Sequence, residues 1–161
     1  MPARPLTHVS VPPGPEGVTV LTGPLRAALD GTGPAIAPIP LVTAATSAEY
    51  VSHLIEATKP DDAAFPLEFD EVAVVLATSG STQRPKGVLH SAATLNALSE
   101  VIQGGAHPQW IAALPLTSMG GFNVALRAAE TDLPALGLNS LGGLQPFTAQ
   151  EFAATVRIAL Q

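Results

Sequence analysis

Four hydroxyls, a glycine and a lysine fall within one short stretch: Thr78, Ser79, Gly80, Ser81, Thr82 and Lys86. Each hydroxyl can donate to a phosphate oxygen. Gly80 lets the backbone come close to an anion or take a positive φ. Lys86 supplies a compact cation suited to the outer phosphates of a nucleotide, and Pro85 stiffens the approach to it. The chemistry such a set could do is to hold a polyphosphate with backbone N–H groups, hydroxyls and one charge. A plain Ser/Thr/Gly surface turn has similar composition, but the order of these residues and the apolar run before them favour the phosphate reading. A Walker A loop requires Gly-x-x-x-x-Gly-Lys-(Ser/Thr). Pro85 stands where the second glycine should be and Gly87 follows Lys86, so two required positions fail.

Such a loop works only when rigid elements present it. Val-Ala-Val-Val-Leu-Ala at 72–77 is short, β-branched and without polar alternation, which predicts a strand buried on both faces. After the loop, Ser91 is placed to cap a helix over 92–103, with Leu95, Leu98 and Ile102 on one face and Gly104-Gly105 to stop it. His90 then sits at the start of that helix. A second strand is predicted over 110–116. Gly120-Gly121 opens a helix through Phe122, Val124, Ala125, Leu126 and Ala129, and a weaker strand follows at 135–138. Two capping boxes, Thr46–Glu49 and Thr148–Glu151, predict helices with apolar stripes at Val51, Leu54, Ile55 and at Phe152, Val156, Leu160. Nine of the 16 prolines lie in residues 1–40, so that segment reads as extended or turning, with one short helix starting at Pro24 and closing at Gly31. Strands alternating with helices predict an α/β fold, a partly parallel sheet flanked by helices. The expected organisation is a Pro/Gly-rich segment at 1–40 and an incomplete α/β nucleotide-binding domain at 41–161.

Residues 78–87 closely resemble the signature loop of the AMP-forming acyl-CoA synthetase family, (Thr/Ser)-Ser-Gly-(Ser/Thr)-Thr-Gly-x-Pro-Lys-Gly. Every position fits except Gln83, where the family has glycine. Residues 110–127 are similar to the family's next segment, a strand ending in Leu-Pro followed by a turn, glycine and a helix. With Arg127 six residues after Gly121, and with Phe147-x-x-x-Glu151-Phe152-Ala-Ala further on, the chain is most like the o-succinylbenzoate–CoA ligases of menaquinone biosynthesis. The resemblance covers most of the chain from about residue 70.

It implies an N-terminal part of the large adenylate-forming domain. It also implies ATP as Mg²⁺ complex and CoA as co-substrate, with an aromatic or acyl carboxylate adenylated and then passed to the thiol. Thr78, Ser79, Gly80, Ser81, Thr82 and Lys86 would hold nucleotide, and Ser118, Gly120, Gly121 and Arg127 would meet the acyl substrate. No catalytic or metal-ligating residue is assigned. For Arg127 the alternative is an ordinary arginine on a solvated helix face. Thr117-Ser118 replaces the family's usual histidine in the turn. The family's later motifs are missing, so the expectation is a ligase fragment that is inactive alone. The alternative is a degenerate, non-catalytic nucleotide-binding or interaction module.

Composition excludes other classes. Charged residues make up only 12%, about half the usual share, so some surface is expected to be covered, and a homo-oligomer is one way to cover it. The seven Lys and Arg residues are scattered rather than striped, which argues against nucleic acid. With no cysteine there is neither a disulfide scaffold nor a thiolate metal site. No apolar run reaches the ~20 residues that span a bilayer, and the first residues lack a signal-peptide core. A cytoplasmic protein is the expectation.

Overall fold

The computed structural model describes residues 4–58, 71–78, 84–103, 109–131 and 133–161. The order of elements is β1 Leu6–Val11, α1 Pro15–Leu29, β2 Ala35–Pro40, α2 Ala48–Ala57, β3 Val72–Thr78, β4 Lys86–Ser91, α3 Ala92–Gln103, β5 Ile111–Ala112, α4 Met119–Ala129, β6 Leu136–Gly137 and α5 Ala149–Ala159. Four strands form one sheet in the order β1-β2-β3-β4, and β5 and β6 form a second. β1, β2 and β3 run parallel, β4 is antiparallel to β3, and β5 and β6 are parallel. The fold is α/β, as the alternation of elements predicts.

Side chains of β2 and β3 alternate between two faces. Ile36, Val74 and Leu76 join the main core with Leu21 and Leu25 of α1 and Phe122 and Leu126 of α4. Ile39 faces the other way and packs with Val51 and Leu54 of α2, against Ala77. With α1 on one face and α2 on the other, β2 is buried along nearly its whole length. That double covering is why β2 and β3 lack polar alternation. α1 also packs against α4 and β6, so it joins the two sheets.

The first forty residues hold more structure than their prolines predict. They supply two strands and a 15-residue helix. α1 starts at Pro15, not Pro24; Pro15 occupies the first turn, where no N–H is needed. Pro24 lies inside the helix. It removes the bond to the Val20 carbonyl, but Val20 and Pro24 are both exposed, so water can replace that bond. The buried Leu21 and Leu25 on the adjoining face hold the turn together.

Proline has a second effect in β2. The N–H groups of Ala35 and Leu41 donate to the Pro5 and Val11 carbonyls on the β1 side. By the two-residue alternation, Ile36, Pro38 and Pro40 face β3. Pro38 and Pro40 have nothing to donate. Accordingly β1 and β2 register along six pairs, from Leu6↔Ala35 to Val11↔Pro40, whereas β2 and β3 register only at Ile36↔Val74.

Elsewhere the boundaries shift. The first capping residue is Ser47, whose hydroxyl accepts from the Tyr50 N–H at 3.2 Å, not Thr46, which bridges to Thr43 instead. The Thr148 cap is as expected, accepting from the Glu151 N–H at 3.2 Å, and so is Ser91, accepting from the Thr94 N–H at 3.1 Å. The strand expected over 110–116 is two residues long, as is the one expected over 135–138. α5 has no buried residue; Phe152 and Ile158 on it are exposed, and so is Leu160 at its C-cap. Gly104 and Gly105, the expected stop of α3, lie outside the described residues.

Candidate functional site

The hydroxyl-rich segment lies in the chain between β3 and β4, so a strand, not the expected helix, is the next element after it. The cause is local. Lys86-Gly-Val-Leu-His-Ser pairs antiparallel with β3 from Thr78↔Lys86 back to Val72↔Ser91, and α3 begins only afterwards. His90 is therefore the penultimate residue of a strand rather than a helix start. Its Nε2 is buried without a partner, and burial holds its pKa below the usual imidazole value.

Gly87 has a structural reason. A methyl group there would run into the carbonyl oxygen of Ala57 at the end of α2. The glycine after the lysine thus lets a helix end pack on the hairpin.

Thr78 and Lys86 face each other at the base of the hairpin. The Thr78 hydroxyl donates to the Lys86 carbonyl at 3.3 Å. Its single proton is therefore used across the strands, and a phosphate could claim it only by displacing that bond. Lys86 is exposed. Ser79, Gly80, Ser81, Thr82 and Gln83 lie outside the described residues. The segment departs from the carboxyl end of β3. β1 and β2 run parallel to β3, so it is the end at which Val11 and Pro40 also finish. In an open α/β sheet, ligands bind outside the carboxyl ends of the strands.

A cleft is present at that end, lined by Pro12, Leu41, Thr43, Pro115, Leu116 and Thr117 among others. It brings the start of the 115–118 turn beside the ends of β1 and β2. Its cavity volume is about 30 Å³, room for one or two waters, so it is too small for a nucleotide as it stands.

The four residues expected to meet an acyl substrate separate into two groups. Ser118 caps α4: its hydroxyl accepts from the Gly121 N–H at 3.4 Å and donates to the Pro115 carbonyl at 2.7 Å. A side chain at Gly121 would collide with the carbonyl oxygens of Leu114 and Pro115, and one at Gly120 would press on Leu114. These three residues shape the strand-to-helix turn. Arg127 lies nine residues further on, about 14 Å along the helix at 1.5 Å per residue, and is half-buried. Its guanidinium carbon sits 4.8 Å from the centre of the Trp110 ring, within cation–π range. Two polar atoms on this side are buried without a partner: Asn123 Oδ1, one helical turn before Arg127, and Trp110 Nε1. Sequence reasoning passed over both residues. The usable signal was a lone asparagine on an otherwise apolar helix, four residues before the arginine.

Among the described residues no group of three or more His, Asp or Glu side chains could hold a metal ion, and no helix is long and apolar enough to cross a membrane.

The class defined by this geometry is an α/β protein with a hydroxyl- and lysine-bearing hairpin at the carboxyl end of its parallel strands. Comparison with known proteins adds one partial likeness. Over 71 residues the chain is 34% identical to the 2-succinylbenzoate–CoA ligase of Geobacillus kaustophilus (strain HTA426), an overlap that takes in 42% of this chain and 14% of that ligase. The chain is thus similar, over part of its length, to an acid–CoA ligase. No family model matches, and no solved structure matches.

Proposed function

We propose that the chain carries the nucleotide end of an ATP-dependent, AMP-forming acid–CoA ligase of the o-succinylbenzoate type. In that reaction a carboxylate oxygen attacks the α-phosphorus of ATP, and pyrophosphate leaves. The CoA sulfur then attacks the acyl carbon, and AMP leaves. Residues 78–82 and Lys86 would hold the β- and γ-phosphates, with Mg²⁺ neutralising oxygens between them. Arg127 would bind an acid group at the far end of the acyl substrate, a role suited to a guanidinium fork. The observation that carries the reading is the residue order of 78–87, which follows a buried strand in the chain; the partial likeness to the Geobacillus ligase supports it.

One observation favours a second reading, a nucleotide-binding or interaction module without catalysis. Ser118 stands where the family usually has histidine, and its hydroxyl is committed at both ends to the α4 cap. Calorimetry with ATP·Mg²⁺ tests whether the phosphate loop works. Binding by the wild type that Lys86→Ala removes supports a working phosphate loop. Binding only after Gln83→Gly supports the degenerate module. No heat from either protein defeats the phosphate-loop reading.

A further inference from the structure

α5 is amphipathic with its faces reversed. A surface helix ordinarily turns its apolar stripe to the core. Here two polar residues, Glu151 and Thr155, are among the half-buried ones. The Glu151 carboxylate accepts from the Asn139 N–H, and the Thr155 hydroxyl donates to the Glu151 carbonyl at 3.1 Å. Ala149, Phe152, Ala153 and Leu160 are exposed, and Val156 is half-buried at their margin. Leu160, the C-cap, keeps helical φ and ψ. At about 100° per residue these five fall within an arc of about 100°, so they make one stripe. Phe147, just before the Thr148 cap, stacks on Phe152 with ring centres 6.0 Å apart. That is the position of a hydrophobic staple, yet Phe147 is 59% and Phe152 40% exposed. Staple and stripe form an uncharged apolar face turned to water, the mark of a surface that something covers.

We infer that this face joins two copies of the chain, α5 packed on α5, antiparallel about a two-fold axis. The pairing stands independently of the nucleotide reading. Shape favours it, because the stripe is small at its start and large at its end. Antiparallel pairing lays Leu160 of each copy over Ala149 of the other, beside the Phe147–Phe152 rings, and sets Phe152 near Val156 of the other copy. Parallel pairing would stack Leu160 on Leu160 and align the two helix dipoles. Charge favours it too. Each copy carries −6, so two copies repel through most faces. Arg157 is exposed and borders this stripe, so each copy brings a cation to the joint while its aliphatic stem extends the apolar contact. The area fits a weak dimer. The two rings leave roughly 200 Å² uncovered in each copy, and Leu160, 81% exposed, adds most of a side chain. Doubled by the two-fold and joined by the alanines, this comes near the ~1,000 Å² at which specific interfaces begin.

Sedimentation equilibrium of the full chain is expected to show a reversible monomer–dimer system with Kd on the order of 10 µM. Leu160→Lys should weaken it at least tenfold. A cation suits a helix C-terminus, so the fold tolerates that change, and circular dichroism checks it. Phe152→Glu should act alike. Val101→Lys, which alters an equally exposed apolar residue on α3, should leave the dimer unchanged. The chain has no cysteine, so single introduced thiols report the geometry. A disulfide needs Cα atoms within about 7 Å. Antiparallel pairing brings the two copies of residue 153 together and holds those of residue 149 about 17 Å apart along the axis. Ala153→Cys should therefore form a disulfide-linked dimer under mild oxidation, and Ala149→Cys should not. A wild-type monomer at every concentration overturns the proposal, and flotation of that monomer with phosphatidylcholine vesicles would give the face to lipid instead. A dimer that survives Leu160→Lys and Phe152→Glu overturns it as well, as does equal weakening by Val101→Lys. Crosslinking of both thiols, or of neither, overturns the antiparallel register.

Discussion

The two ends of α4 differ in what their polar groups do. At the start, the Ser118 hydroxyl and the Gly121 N–H satisfy each other, and two glycines let the helix press against the Leu114–Pro115 backbone. Towards the other end, the Arg127 guanidinium stacks on Trp110 and has no polar partner among the described residues, and neither has the Trp110 N–H or the oxygen of Asn123 one turn earlier. Both ends belong to one stretch of sequence that resembles a substrate-binding segment. The difference teaches that such a stretch contains two kinds of residue. Some build the turn, and their cost of removal appears as lost stability. Others are held ready, and their removal should leave stability nearly intact.

That distinction can be broken by measurement. Gly121→Ala carries the largest expected effect. The added methyl meets two carbonyl oxygens, and overpacking of this kind costs about 3 kcal/mol, read as a lower urea midpoint. A variant as stable as wild type would show that the turn relaxes freely. Next comes the pair of half-buried arginines. Arg4→Met should cost about 2 kcal/mol, because it strips charged hydrogen bonds from four carbonyls. Arg127→Met should cost under about 1 kcal/mol, the cation–π stack alone. Equal losses in the two denaturation curves would erase the contrast. Ser118→Ala should cost about 1 kcal/mol as a lost cap, and Ser118→Asp should recover only part of it, because a carboxylate accepts from the Gly121 N–H but cannot donate to the Pro115 carbonyl.

The smallest effect is that of His90. Burial lowers its pKa in the folded protein below the ordinary 6.5, so the unfolded chain binds the proton more readily. Its stabilising contribution is full above that value and is lost as pH falls through it towards the folded-state pKa. Between pH 7 and 5, His90→Phe should therefore lose less stability than wild type. Parallel pH dependences would mean that His90 carries no charge penalty in the fold.

Much of the fold was readable where one local rule acted alone. Thr148 and Ser91 cap helices because a hydroxyl one residue before a periodic apolar stripe has few competing uses. β3 was legible because its run has no other stable destination than a covered strand. β1, β2 and the early start of α1 were not, because their prolines are tolerated for reasons that lie elsewhere in the chain. Pro15 needs only a first turn, Pro24 needs only water, and Pro38 and Pro40 need only a neighbour that does not ask for their N–H. β4 was hidden because Val88 and Leu89 are both exposed and follow no two-residue rhythm. In the candidate site, Ser118 and the glycines were found as positions but not in their structural work, which depends on where the Leu114 and Pro115 carbonyls fall. The Trp110–Arg127 stack joins residues 17 apart through a tertiary contact, and no local pattern announces it.

The prolines of β2 also have a mechanical consequence. Six registered pairs tie β1 to β2, and six tie β3 to β4, but one rung joins the two ribbons. Under load, shearing either ribbon means breaking a row of bonds together. Drawing the ribbons apart means breaking that rung and then peeling side chains from α1 and α2. A force-probe experiment that pulls on β1 and β4 should find the sheet yielding along the β2–β3 line, beside the carboxyl end where the hydroxyl-rich segment departs.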